Sequence, residues 1–169
     1  MSLIPFSIFY LISYFFVIFS YLPSILSIFN GFFPIFETAL AFFFLTNKDK
    51  KISYSFLLII FILIDTIQNN IIGITATIFF LSMICFNTCK QLFVFENFKE
   101  LWVGYALFCV IIFAFNFTIQ YFLGVDAVFT SDIVIKLLLT IIFYPIYYLV
   151  ISNLYDKTIK KYYNEKYLI

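Results

Sequence analysis

The chain contains 169 residues, of which 64% are hydrophobic and 11% are charged, and its mean hydropathy is +1.09. Soluble domains are about 45–50% apolar and about 25% charged, so this composition excludes an ordinary water-soluble protein and favours one embedded in a lipid bilayer. The net charge of +1 provides no electrostatic basis for binding nucleic acid.

Six apolar stretches follow one another along the chain. Residues 56–64 and 110–115, for example, are apolar at consecutive positions, which predicts helices rather than strands with alternating side chains. Since a spanning helix needs about 20 apolar residues, we expect an all-α integral membrane protein that forms a compact bundle of six transmembrane helices in one domain. The predicted spans are residues 4–22, 27–46, 52–66, 71–89, 101–123 and 133–154.

The first two spans differ in regularity. The first ends at Pro23, and no small-residue cleavage site follows it, so we expect it to remain in the protein rather than to be removed as a signal peptide. The second carries Asn30, Gly31 and Pro34 in its first half, which predicts an irregular helix there. Glu37 follows Pro34 by about one helical turn, within the apolar stretch.

The third span is short and ends in a polar turn. Residues 52–64 would extend about 20 Å as a helix, against a hydrocarbon core of about 30 Å, so Asp65 should lie below the lipid surface. Asn70, just before the fourth span, is the expected N-cap of that helix. Gly73 and Thr77 predict a small-xxx-small face for close helix packing.

Residues 90–100 mix phenylalanines with charged side chains, which predicts a short segment in the membrane interface before the fifth span. Trp102 and Tyr105 would then mark the level of the lipid headgroups. Asn116 and Gln120 share a face of the fifth span, where we expect hydrogen bonds to a neighbouring helix. Binding of a small polar ligand at that face is the alternative.

Lysines alternate among the connections between the predicted spans. Three follow the second span, two follow the fourth and four lie in the C-terminal tail, whereas the first, third and fifth connections contain none. The positive-inside rule therefore predicts a multi-pass protein of the bacterial inner membrane with both termini in the cytoplasm.

Lys136 is the exception, because it falls about one turn inside the sixth span from the predicted outer side. Glu37 and Asp65 are expected at a similar depth, so a buried ion pair or a triad with Lys136 is one arrangement. A pair within one helix face, between Lys136 and Asp132, is the other. Such a polar cluster would either fix helix register or contact a partner or ligand.

The chain contains no histidine, so serine or cysteine nucleophiles lack their usual base. Cys85, Cys89 and Cys109 lack a fourth ligand for a tetrahedral metal site, and we expect them to be small buried hydrophobes. We therefore expect no enzymatic activity, no metal and no cofactor. A membrane aspartyl peptidase similar to signal peptidase II stays open as an alternative, and its candidate acids would be Glu37, Asp65, Asp126 and Asp132.

Several features, taken in chain order, resemble MreD, the small membrane subunit of the bacterial rod-shape system. They are Pro34 at the opening of an apolar span, a charged hairpin, an apolar-x-x-Asp segment ending at Asp65, Gly73 eight residues later, and Tyr144-Pro145 inside the last span. Phe61 and Ile62 stand where MreD sequences typically have Gly-Leu, so the sequence departs from the family pattern there.

This resemblance implies a non-enzymatic role in the rod-shape (elongation) complex. MreD docks the single-span protein MreC and, indirectly, MreB and the cell-wall synthases, and helps to organise lateral peptidoglycan synthesis and cell shape. Partner contacts would then lie within the bilayer, with Glu37, Asp65, Asn70, Gly73 and Lys136 as candidate contact or structural residues. The alternative is the substrate-binding subunit of a vitamin transporter, which is also a six-helix bundle of nearly this size.

Overall fold

The computed structural model describes residues 4–25, 35–46, 54–68, 71–90, 97–124 and 131–160. These residues form six α-helices and no β-strand, which confirms the predicted all-helical class. A π-helical turn, Asp156–Lys160, continues the last helix. The helices are α1 (Ile4–Ile25), α2 (Phe36–Thr46), α3 (Tyr54–Ile67), α4 (Ile74–Cys89), α5 (Phe98–Phe122) and α6 (Ser131–Tyr155).

Every helix start except that of α1 differs from the predicted span by at least two residues. α5 begins at Phe98 rather than at residue 101, because Asn97 and Glu100 form a capping box, in which the Asn97 N–H donates to Glu100 Oε2 at 3.4 Å. The end of the predicted interfacial segment is therefore the first turn of α5. α2 begins at Phe36, and the first half of the predicted second span, with Pro34, lies outside the described residues.

Two helical segments of the described chain are long and apolar enough to cross a membrane. One is α5, and the other is α6 with most of the turn that follows it, Asp132–Thr158. Four shorter apolar segments fall below this length: Ser7–Ile18, Phe36–Thr46, Ser55–Ile67 and Ile74–Cys89.

Several helix ends meet at one end of the bundle. The ring of Phe9, in α1, lies 6.3 Å from that of Phe44 near the end of α2 and 6.2 Å from that of Tyr155 at the end of α6. Lys90, directly after α4, donates to the Leu45 carbonyl oxygen in the last turn of α2, at 2.6 Å. We call this the basic end, because the connections after α2 and α4 and the C-terminal tail carry the lysines.

The short helix α2 lies at the centre of the bundle. Eight consecutive residues, 36–43, are buried, and the helix contacts α1, α4, α5 and α6. Every face of these two turns is covered, and six of the eight residues are apolar, the exceptions being Glu37 and Thr38. The Phe42 ring packs at 5.4–5.8 Å against the rings of Phe86, Tyr105, Phe108 and Tyr144.

The other helices show large apolar side chains on the outside of the bundle. On α1, Leu11 and Phe15 are 69% and 63% exposed, and on α6 Leu149 is 60% exposed. Among the described residues, every helix except α2 carries such side chains. The fully buried set, in contrast, includes polar groups: Ser13, Glu37, Thr38, Asp65, Ser82 and Thr140. This distribution is the reverse of that in a bundle surrounded by water.

Candidate functional site

The start of α2 is attached to the middle of α6. The Ile35 N–H donates to Thr140 Oγ1 at 3.2 Å, and Thr140 in turn donates to the Lys136 carbonyl oxygen at 2.7 Å. Thr140 is fully buried. Backbone N–H groups at a helix start have no partner within their own helix. The Thr140 side chain of α6 therefore provides an acceptor for one of the N–H groups at the start of α2.

A second hydroxyl links α2 to α5. Thr38 donates to the Ile35 carbonyl oxygen at 2.7 Å, and the Tyr105 hydroxyl lies 2.6 Å from Thr38 Oγ1. Because the single hydroxyl proton of Thr38 is used on Ile35, Tyr105 is the donor of the shorter bond. Cys109, one turn further along α5, is also buried. α2 is therefore attached to both membrane-length helices.

Glu37 occupies the first turn of α2 and is 2% exposed. A negative charge is favoured there by the partial positive charge of the helix start. Lys136 and Tyr147, both on α6, interact electrostatically with Glu37. Asp132, one turn before Lys136, is exposed. Two members of the expected cluster, Glu37 and Lys136, thus interact electrostatically across the interface between α2 and α6.

Asp65 serves a different part of the bundle. Its carboxylate is fully buried at the end of α3, where Oδ2 accepts the Gly73 N–H at 2.7 Å and Oδ1 accepts the Thr75 N–H at 3.2 Å. Both carboxylate oxygens therefore satisfy backbone donors at the start of α4. Asp65 fixes the turn between α3 and α4, because its buried carboxylate accepts two backbone N–H groups there.

Gly73, rather than Asn70, occupies the N-cap position of α4. The prediction for Asn70 is wrong because α4 begins at Ile74, and Asn70 itself lies outside the described residues. Gly73 has a φ of +96°, in the left-handed region that favours glycine. A Cβ at Gly73 would meet no described atom within 4 Å, so its backbone conformation, and not close helix packing, explains the glycine.

A shallow apolar groove of about 460 Å³ runs between α3 and α4 beside Gly73. Thr77, the other residue of the predicted small-xxx-small face, lines it, but its hydroxyl donates to the Gly73 carbonyl oxygen at 2.8 Å. The other lining residues are apolar: Leu58, Ile62, Ile72, Ala76, Phe80, Leu81 and Ile84. Apolar chains or helices fit such walls better than a polar ligand.

Several polar side chains of α5, and Lys90 directly after α4, form hydrogen bonds other than those that the sequence predicts. Gln120 Nε2 donates to Asn116 Oδ1 at 3.2 Å, which is a bond within α5 rather than one to a neighbouring helix. The indole N–H of Trp102, expected at the headgroup level, donates to the Ile141 carbonyl oxygen of α6 at 2.8 Å. Lys90, expected in the interface, caps the end of α2 at Leu45.

The candidate acids of the peptidase alternative serve separate turns in the described part of the chain. Glu37 lies in the first turn of α2, whereas Asp65 lies in the last turn of α3, where its carboxylate accepts backbone N–H groups at the start of α4. Asp126 lies outside the described residues. Cys85, Cys89 and Cys109 are free thiols, and no group of three potential metal ligands lies together in the part of the chain that the structure describes. What the site can do is position helices.

No family model, curated protein or solved structure matches this chain. The functional argument therefore depends on the residues and contacts of the chain itself.

Proposed function

We propose that the chain is a non-enzymatic, multi-pass subunit of the MreD type in the bacterial inner membrane. In this role it docks an MreC-like single-span protein and, through it, MreB and the cell-wall synthases, and helps to organise lateral peptidoglycan synthesis. The observation that carries the proposal is the contact between Asp65 and Gly73. These two residues, on which the resemblance to MreD depends, bind each other directly at 2.7 Å.

The membrane location is supported by the reversed distribution of side chains. Leu11, Phe15 and Leu149 are more than half exposed, and in water such side chains on five helices would cause aggregation. Within lipid they need no further cover, while each buried polar group needs a partner inside the bundle. The contacts of Asp65 and Thr140 with backbone N–H groups meet that requirement for these two residues.

The six-span topology is supported by the order of the helix ends. The start of α1 and the ends of α2, α4 and α6 meet at the basic end, as the contacts of Phe9 and Lys90 indicate. Lysine-bearing segments thus emerge from one end of the bundle, and the positive-inside rule assigns that end to the cytoplasm. The N-terminus and the C-terminal tail are then both cytoplasmic.

The mechanism follows from where the polar groups lie. Glu37, Thr38, Asp65 and Thr140 are turned inward and serve contacts between helices, so they hold the bundle in one shape. The outer surface is apolar, and a partner with one spanning helix would dock on it through van der Waals packing and a few hydrogen bonds. A rigid bundle that offers such a surface needs no catalytic residue.

Depletion of the protein in a rod-shaped host tests this role. We expect round cells with normal lipoprotein maturation, and a plasmid copy should restore the rods. Asp65→Asn should restore them poorly, because it weakens the turn before α4, whereas Asp132→Asn, on an exposed acid of α6, should restore them fully. Rod-shaped depleted cells would refute the proposal, and unprocessed lipoproteins would point to the peptidase.

A further inference from the structure

Pro145 interrupts the hydrogen-bond ladder in the middle of α6. In a regular helix the Ile141 carbonyl oxygen accepts the N–H of the residue four positions later, and here that residue is a proline without an N–H. In an apolar environment a carbonyl without a donor costs free energy, so the helix needs a donor from elsewhere at this point.

Trp102 of α5 supplies that donor. Its indole N–H lies 2.8 Å from the Ile141 carbonyl oxygen, although the two residues are 39 positions apart in the chain. Tryptophan has one polar hydrogen and no acceptor, so this bond satisfies the side chain completely. The bond replaces the one that Pro145 removes, and it joins the two membrane-length helices at the break.

Phe98, one turn before Trp102 on the same face of α5, contacts both sides of the break. Its ring lies 6.3 Å from that of Tyr144, nearly parallel at 12°, and 5.6 Å from that of Tyr148. Tyr144 precedes Pro145, and Tyr148 follows it by three residues. The first turn of α5 therefore holds the two halves of α6 together across the position at which that helix is weakest.

We propose that Phe98 and Trp102, here called the α5 clamp, are a conformational device that sets the position of the C-terminal half of α6. That half ends at Tyr155, whose ring packs 6.2 Å from Phe9 of α1 and 5.6 Å from Phe43 of α2. When the clamp opens, the break at Pro145 becomes a hinge, and the π-helical turn Asp156–Lys160 moves relative to α1, which it contacts in the closed position.

The clamp lies on the outside of the bundle. Phe98 is 41% exposed and Trp102 is 39% exposed, so the surroundings of the bundle reach both side chains. The clamp and the hinge are properties of this chain's own helices, and the proposal stands or falls apart from the proposed role in cell shape.

A cross-linking experiment in native membranes tests the device. Cysteines placed by Ser7→Cys in α1 and Lys157→Cys in the π-helical turn, two exposed positions on segments that contact each other, report the closed position through a short bifunctional maleimide in a chain whose three natural cysteines are replaced by alanine. Trp102→Phe keeps an aromatic ring but removes the N–H, and it should lower the ratio of closed to open molecules by about threefold to twentyfold, the range for one interhelical hydrogen bond in a membrane.

Pro145→Ala should restore the cross-linking yield in the Trp102→Phe chain, because an alanine at this position donates its own backbone N–H to the Ile141 carbonyl oxygen. Val103→Ala, a truncation of an exposed neighbour of Trp102, is the matched control and should leave the yield unchanged. An equal loss for Trp102→Phe with and without Pro145→Ala would overturn the device, since Trp102 would then act through packing alone.

The indole N–H of the natural chain provides a second readout, because the protein contains one tryptophan. In lipid nanodiscs this group gives one indole signal in a nitrogen-15 NMR spectrum. Its N–H proton should exchange with deuterium much more slowly than the N–H proton of a free indole. Exchange at the rate of a free indole would show that the bond to Ile141 is not formed and would also overturn the proposal, whether or not the variants fold.

Discussion

Replacement of Asp65 should destabilise the bundle in proportion to the number of hydrogen bonds that are lost. The carboxylate is fully buried and accepts the N–H groups of Gly73 and Thr75 at 2.7 and 3.2 Å. Asp65→Ala removes both acceptors, while Asp65→Asn keeps one oxygen and replaces the other with an amide group that cannot accept. The alanine variant should therefore lose more stability than the asparagine variant.

The magnitude follows from the donors left behind. A buried N–H without a partner costs about 1–3 kcal/mol, and both donors are only partly buried, so the lower half of that range applies to each. Asp65→Ala should then reduce the free energy of unfolding by about 2–4 kcal/mol, and Asp65→Asn by about 1–2 kcal/mol. Asp132→Asn, on an exposed side chain, should change it by less than about 0.5 kcal/mol.

Unfolding in mixed micelles of increasing dodecyl sulfate content measures these values. The fluorescence of Trp102, the one tryptophan of the chain, follows the transition at a site distant from the substitution. If Asp65→Ala and Asp132→Asn gave equal losses, the two hydrogen bonds at the start of α4 would contribute nothing, and the structural role of Asp65 would be refuted.

Three further predictions concern the interior of the bundle and its orientation. Lys136→Met should lower the amount of protein in membranes, and Glu37→Gln should partly restore it, because the first change alone leaves a buried charge unpaired at a typical cost of about 3–5 kcal/mol. Additive losses would show that Lys136 and Glu37 do not interact. Rescue by Asp132→Asn alone would show that Lys136 pairs with Asp132 of its own helix. Thr38→Val and Tyr105→Phe should each cost about 0.5–1.5 kcal/mol, and the double variant less than the sum, since both remove one shared bond. Reporter fusions in the lysine-bearing connections and in the C-terminal tail should show a cytoplasmic location. A periplasmic tail would show that one of the six predicted spans does not cross the membrane.

The helical class and the approximate helix ends follow from hydropathy alone. The apolar run before Asp65 predicts a short third helix, and α3 ends at Ile67, only two residues beyond this acid. The lysine pattern predicts which connections share one end of the bundle, and the contacts of Phe9 and Lys90 place the corresponding helix ends together. Both signals are local, since each depends on composition along the chain and not on which helices are neighbours.

The partners of individual polar groups could not be predicted in the same way. In a chain that is apolar on nearly every helix face, hydropathy does not distinguish the buried face from the outer one, so α2 gives no sign that it is the central helix. The indole of Trp102 bonds to Ile141 because the start of α5 packs against the middle of α6, which no local pattern around either residue shows. Only the capping box of Asn97 and Glu100 had a recognisable sequence signal that the predicted spans overlooked.

Purification of the tagged full chain from its native membranes in a mild detergent tests the proposed function most directly. We expect one MreC-like protein with a single spanning helix to co-purify at a stoichiometric level, and we expect the association to be weaker with Asp65→Asn than with Asp132→Asn. Absence of such a protein from the purified sample, together with a tightly bound vitamin, would contradict the account and favour the substrate-binding subunit of a transporter.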